Sequence, residues 1–239
     1  MAHLDGESVA DAAGGSPSGA GLRRDIASIV ESLRVIAKSF YFSAEYASRN
    51  RSDSQFLEDL YQTFFQRASD PDGKAFWQSQ LDGGLDREAL ILGFMFSQEF
   101  QTFMDAVLGT FDQRPETALT MDTYRAAFTR LPDSGGLDFW RGTLRTGQCN
   151  GTTYAASNYL INSFFGSAEY AGRGRTSKQF VADLYDVFFR RSPDVGGFNF
   201  WANEIDTGSR TRQDVINGFF SSQEWANRVN AIAGAGCVQ

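Results

Sequence analysis

Histidine is almost missing from this chain: the only one is His3. Ser-His-Asp triads, Cys-His pairs and histidine–metal centres are therefore unavailable. Cysteine is scarce too. Cys149 and Cys237 are too few for a disulfide scaffold and fit no zinc spacing. A bridge between them would tie the C-terminal tail to the middle of the chain, and two free thiols are the alternative. Lysine is limited to Lys38, Lys74 and Lys178, so nearly all positive charge is arginine. Base composition accounts for that first, and a preference for planar bidentate pairing second. No apolar run approaches the ~18 residues of a membrane span, and the longest, Ala89 to Phe96, fits an amphipathic helix. No Gly-rich phosphate loop follows a strand. A net charge of −7 repels phosphate backbones, which argues against nucleic-acid partners. None of the 29 acidic residues stands out as half of a glycosidase pair. Together these gaps argue against an enzyme and leave no catalytic or cofactor-binding residue to name.

What is present is aromatic residues, 22 of them Phe, arranged in a repeat. The stretch from Leu184-Tyr185 to Phe200-Trp201 recurs as Leu60-Tyr61 to Phe76-Trp77 and, more worn, as Thr123-Tyr124 to Phe139-Trp140. Each Tyr stands sixteen residues before its Trp: Tyr61 and Trp77, Tyr124 and Trp140, Tyr185 and Trp201. Arg67, Arg130 and Arg191 fall between them at one offset, followed by Asp70, Asp133 and Asp194, then Gly73, Gly136 and Gly197. Asp59, Asp122 and Asp183 each precede the Tyr by two. A period near 60 residues makes the repeat the structural unit. The sequence divides into a disordered lead (1–21), a leading partial repeat (22–46), repeat one (47–104), a degenerate repeat two with an insertion (105–170), repeat three (171–229) and a C-terminal tail (230–239).

The lead has no basic or apolar segment of the kind a secretory signal needs, and reads as a flexible lead, a mature terminus or an artificial boundary. Ile26, Ile29, Val30, Leu33, Ile36, Ala37 and Phe40 then follow helical spacing. Each repeat reads as four helices. Ser52 with Gln55, and Thr176 with Gln179, form capping boxes before the first. Asp70, Asp133 and Asp194 cap the second, which carries Phe76, Trp77 and Leu81 inward in repeat one. Gly83-Gly84, Gly147 and Gly208 end it. Asp86 and Thr211 cap the third. Ser-x-Glu, at Ser43, Ser97, Ser167 and Ser222, opens a short fourth. Repeat two has Thr120, Thr123 and Ala127 where the others have large apolar residues, and an extra segment around Cys149-Asn150-Gly151-Thr152-Thr153. No stretch alternates with period two, so the fold class is all-α: tandem helical repeats, three full copies after a leading partial one.

The pattern Tyr-x-x-Phe-Phe-x-Arg-x-x-Asp-x-x-Gly-x-x-Phe-Trp, closed by Phe-x-x-Ser-x-Glu-Phe/Tyr, resembles the bacterial repeat family known as domain of unknown function 4214, over residues 40 to 229. The Arg-x-Pro-Asp and Ser-x-Glu-Tyr pieces are also similar to the helical linker domains of phycobilisomes. The resemblance implies an all-helical fold, an extracellular or cell-surface setting and a role in holding things together, with other copies of the chain or other surface proteins as partners. Within the residues themselves, the recurring Arg reads as a structural pair for a helix end, a recurring Asp or the closing Glu of a neighbouring repeat. The Trp at 77, 140 and 201 read as core anchors. Trp225 replaces a Phe or Tyr and is expected to be more exposed, which makes it the candidate contact for a cell-surface glycan, the alternative function. Asp70-Pro71-Asp72-Gly73 hints at calcium, but EF-hand spacing would put Ala68 and Ser79 where carboxylates belong. Linear arrays expose long surfaces suited to contacts with other proteins.

Overall fold

The structure, a computed structural model, describes residues 19–110 and 113–238, with side chains from residue 27 onward. His3 and the lead as far as residue 18 lie outside it. Helix α1 (Gly19–Tyr41) is already under way at residue 19, and α2 (Ala44–Ser48) follows it. The remaining helices fall into three sets of four. The first set is α3 (Asp53–Phe65), α4 (Pro71–Asp82), α5 (Arg87–Met95) and α6 (Gln98–Leu108). The second is α7 (Pro115–Phe128), α8 (Ser134–Asn150), α9 (Thr153–Phe165) and α10 (Ala168–Ala171). The third is α11 (Ser177–Phe189), α12 (Val195–Asp206), α13 (Arg212–Phe220) and α14 (Gln223–Gly234). No strand occurs among the described residues.

Local chemistry explains the boundaries. Asp70, Asp133 and Asp194 each accept the N–H of the Gly three residues on, at 2.7 Å in all three sets. That Gly is obligatory because the repeat Tyr lies over it. A Cβ at Gly73 would sit 2.3 Å from the Tyr61 hydroxyl, and one at Gly136 would sit 2.2 Å from that of Tyr124. Both anticipated capping boxes form, at Ser52 and Thr176. The four closing serines accept the N–H of the residue three on, at 3.0–3.1 Å.

Three boundaries differ from the sequence reading. Gly147 does not end α8. The insertion prolongs that helix to Asn150, and Gly151 stops it in the left-handed conformation at φ 70°. The fourth helix is short only in α2 and α10; α6 and α14 run 11 and 12 residues. Half of the expected tail therefore belongs to α14, where Val229 and Ile232 are buried.

The copies are not strung out in a line. α11 packs against α5 of the first set and α7 of the second as well as its own α12, α13 and α14. One apolar core runs from Val30 to Ile232. Its axis is α7 and α11, which are buried on nearly every side, and the other helices wrap them. This overturns the extended-array expectation, because contacts join copy one to copy three directly.

Candidate functional site

The recurring Tyr, Arg and Trp build the same clamp three times. Arg67 reaches Glu99 at 2.7 and 3.0 Å, Arg130 reaches Glu169 at 3.2–3.4 Å, and Arg191 reaches Glu224 at 2.9 and 2.8 Å. The guanidinium also lies over two rings of the first helix: Tyr61 and Phe65, Tyr124 and Phe128, Tyr185 and Phe189, all at 5.0–5.5 Å. The partner is the closing Glu of the same copy, not of a neighbouring one. The reason is the hairpin of the first and third helices, which returns the chain to its own start. Burial raises the Tyr185 hydroxyl to about 12, with Asp194 adding to the effect. Its hydrogen bonds to the Glu224 carboxylate raise the Arg191 guanidinium above its usual value.

Trp77, Trp140 and Trp201 are half-buried against Phe94, Phe164 and Phe219 of the third helices. Phe76 does not turn inward. Phe76, Phe139 and Phe200 are 55%, 59% and 50% exposed, each edge-on to its neighbouring Trp at 4.9–5.0 Å. Adjacent helical residues point about 100° apart, so one of the pair must leave the core when the Trp fills it. Trp225 is not an exposed contact either. It is fully buried, its ring tilted against Phe188 at 4.7 Å, and its indole N–H donates to Asn158 Oδ1 at 3.1 Å. A larger ring in the closing position fills the space beside Phe188 and Phe220, so it cannot serve a glycan.

Asp59 and Asp183 hold the start of their copies. Arg51 binds Asp59 through both oxygens at 2.8 and 2.5 Å, and Tyr46 donates to it at 2.6 Å. Arg175 and Tyr170 repeat this on Asp183 at 2.8, 2.8 and 2.9 Å. Arg175 also binds Glu88 of α5, which ties copy three to copy one. A cleft of about 540 Å³ lies at this junction, lined by Tyr46, Arg51, Asp86, Arg87, Glu88 and Gln179 among others. Its charges are paired: Arg87 with Asp53, and Asp86 with the N–H of Glu88 as cap of α5. Burial pushes the Asp86 carboxyl up. Asp70, of the calcium-like loop, is likewise engaged by Gly73 and Arg67.

The middle copy differs in a way that its local pattern does not announce. Asp122 has no Tyr partner. It sits in a closed ionic network between α1, α7, α11 and α14. Arg125 is at its centre, fully buried, with Nη2 at 2.6 Å from Asp122 and 2.7 Å from Asp186, and Nη1 on Glu31. Lys38 holds Asp186 at 2.8 Å and lies 3.8 Å from Asp183. Arg34 holds Glu31 at 2.5 Å, and Arg228 holds Asp122. Arg34, Arg125 and Arg190 surround the ring of Phe96 at 4.8, 4.9 and 5.1 Å. Burial alone would raise the Asp122 and Asp186 carboxyls, yet the surrounding cations win and hold both below the usual carboxylate range. At Asp183 burial wins and the carboxyl moves up, against the pull of Arg175 and Lys38. Thr120 and Thr123 return their hydroxyls to the carbonyls one turn back, so these buried side chains leave no unpaired polar atom.

Cys149, at the end of the prolonged α8, is joined to Cys237 in a disulfide that spans 88 residues. Gln148 beside it donates to the Ile232 carbonyl at 2.6 Å, and Arg114 reaches the carbonyls of Ala235 and Gly236. The C-terminus is thereby stitched to the middle copy.

No helix of the described residues is long and apolar enough to cross a membrane. No curated protein matches the chain. No solved structure matches it. A family match does exist, over residues 37–104 and 161–229, together more than half of the sequence. Each matched region starts within α1 or α9, takes in the short helix that follows (α2 or α10), and continues through three helices into the fourth of a set (α6 or α14). The helices α7, α8 and most of α9 lie between the two and follow the same plan. The chain belongs to the family described as Domain of unknown function (DUF4214), which it carries as a tandem repeat.

Proposed function

We propose that this protein is a non-enzymatic structural and protein-binding repeat of a secreted or cell-surface assembly. The observation that carries this reading is the outward Phe of each second helix. Phe76, Phe139 and Phe200 recur at the same place in all three copies, half or more exposed beside a Trp that anchors the helix. Core packing does not require a large ring on that face, and repeated exposed aromatics suit contacts with other proteins. The recurring arginines point the same way, since Arg67, Arg130 and Arg191 each close a structural clamp within their own copy. The Cys149–Cys237 bridge suits an oxidising compartment. The glycan-binding alternative loses its named contact with Trp225 in the core.

Two measurements test the reading. Fractionation of the producing cells should find the tagged chain in the medium or at the surface with both cysteines oxidised. Recovery in the cytoplasm with two reactive thiols overturns the setting. Protein partners cross-linked to the native chain should be lost by Phe76→Ser/Phe139→Ser/Phe200→Ser, and partner capture indifferent to that triple variant removes the binding face.

A further inference from the structure

Helix α1 carries apolar residues on two faces. Its inner face holds Ala27, Val30, Ala37 and Tyr41 together with Glu31, Arg34 and Lys38, which are all buried in the ionic network. Its outer face is apolar as well: Ile29, Leu33, Ile36 and Phe40 are 44%, 39%, 60% and 40% exposed. Their spacing is four, three, four, which is the seam of a two-helix coiled coil. In the sequence the same alternation continues back through Ile26 and Leu22. Between residues 27 and 41 no charged side chain shares that outer face, only Ser28, Ser32, Val35 and Ser39.

The repeat shows how unusual the exposure is. With the closing serines aligned, Phe40 corresponds to Phe94, Phe164 and Phe219, and Ile36 to Leu90, Leu160 and Val215. All six counterparts are buried. Phe94, for example, lies beneath Tyr61, Phe65 and Trp77. The face that every full copy covers with its first two helices is uncovered at α1. An exposed apolar stripe of this extent on a folded chain marks an interaction surface.

We propose that α1 pairs with α1 of a second copy of this chain across a twofold axis. Three observations select that occupant. First, α1 has 23 residues where α5 and α13 have nine, so the seam runs past what the first helix of a repeat would cover and asks for an equally long partner. Second, the stripe is electrically neutral, so an identical stripe meets it without like-charge repulsion, and isologous pairs of this kind are the commonest oligomers. Third, the area suffices. The open side chains alone match the largest patch a monomer tolerates, roughly 300–600 Å². Doubled by symmetry along a helix about 34 Å long, the seam reaches the order of 1,000 Å² expected of a real interface. A lipid surface fits less well, because an interfacial helix keeps its Lys and Arg free for headgroups, and Arg34 and Lys38, the cations of α1 from residue 27 onward, are buried in ion pairs. Residues 1–18 offer only Met1, Leu4 and Val9 as large apolar side chains, too few to cover the stripe.

The pairing deepens the assembly reading by naming one partner, and rests on it only for its biological setting. Sedimentation equilibrium of the full chain across a wide concentration range should show a dimer. Leu33→Asp and Ile36→Asp should each weaken it by at least about a hundredfold, with helical circular dichroism unchanged and the melting temperature unchanged at concentrations where the native chain is itself monomeric. Leu33→Ser and Ile36→Ser serve if either Asp variant misfolds, and should also weaken the dimer. A monomer at every concentration overturns the proposal. So does a dimer indifferent to all of these variants, or a monomer that co-sediments with phosphatidylcholine–phosphatidylglycerol vesicles. None of those results bears on where the cell places the protein, which fractionation reads separately.

Discussion

Arg125→Met removes the centre of the buried network while keeping much of the side-chain volume. In the native chain this guanidinium faces three carboxylates: Asp122 at 2.6 Å, Asp186 at 2.7 and 3.1 Å, and Glu31. None of the three is more than 2% exposed at the side chain, so water cannot take over the lost role. Breaking a buried pair from one side costs about 3–5 kcal/mol, because the remaining charge stays uncompensated. Here each carboxylate keeps a second cation: Arg34 for Glu31, Lys38 for Asp186, Arg228 for Asp122. That holds the loss within the range instead of tripling it. At 2–4 °C per kcal/mol for a chain of this size, the melting temperature should fall by roughly 10 °C. Urea unfolding followed by circular dichroism near neutral pH reads the free energy directly, and an unchanged slope would show that the unfolded state was not the target. Arg125→Met/Asp186→Leu should not recover the loss, since the buried Lys38 then loses its 2.8 Å partner and keeps only Asp183 at 3.8 Å. A loss below about 1 kcal/mol for the single variant, or full recovery in the double, would refute the reasoning.

Reduction of the Cys149–Cys237 bridge, or Cys149→Ser, should cost about 4.6 kcal/mol in the chain-entropy account of an 88-residue loop, and thermal melts with and without reductant that coincide would refute a structural role. Arg191→Ala should lose about 0.5–1 kcal/mol, because its pair with Glu224 is partly exposed. The deficit should shrink in high salt as the ionic part is screened, and a salt-independent deficit would assign it wholly to the ring contacts. Acid should unfold the chain below about pH 4. Asp122 and Asp186, depressed in the fold, contribute fully above the unfolded-state carboxylate value and lose that contribution as pH falls through their lower folded values. Asp183, raised in the fold, contributes in the opposite sense: its share is present below the unfolded value and lost as pH rises through the folded one. With two groups against one, a melting temperature that climbed on acidification would contradict the network's ionisation.

The parts of the fold that were legible in the sequence are those written in local chemistry. The Asp caps at 70, 133 and 194, the boxes at Ser52 and Thr176 and the four closing serines each involve residues two to four apart, and all form as read. Faces were less legible. Helical spacing in α1 identifies a stripe at 29, 33, 36 and 40 but cannot tell which side meets the protein, and the buried side is the charged one. Phe76 and Trp77 are adjacent, and composition alone does not say which turns in. Trp225 breaks the pattern of its position, which suggested exposure, whereas the break fills space beside Phe188. The ionic network was least legible because its pairs are remote: Lys38 and Asp186 are separated by 148 positions, Arg228 and Asp122 by 106. One signal was available. Asp122 with Arg125 and Asp183 with Asp186 are charges one turn apart inside helices that carry apolar or small residues on their other sides, an arrangement that burial must answer with partners.

The same comparison explains why copy two looks worn. Thr120, Thr123 and Ala127 replace large apolar residues in α7, which suggests decay when the helix is compared with α3 and α11. In the structure α7 is a central helix, and slender residues leave room for Asp122, Arg125 and the arginines that converge on them. A core made of the same Tyr-x-x-Phe-Phe face three times is ambiguous, since any first helix could accept any third helix with similar apolar burial. Direct contact between copies one and three makes that ambiguity dangerous. Buried charges remove it, because a misplaced copy would strand Asp122, Asp183 or Asp186 without a cation, at a cost far larger than a difference in apolar packing. The divergence of the middle copy is then what fixes the order of the other two around it.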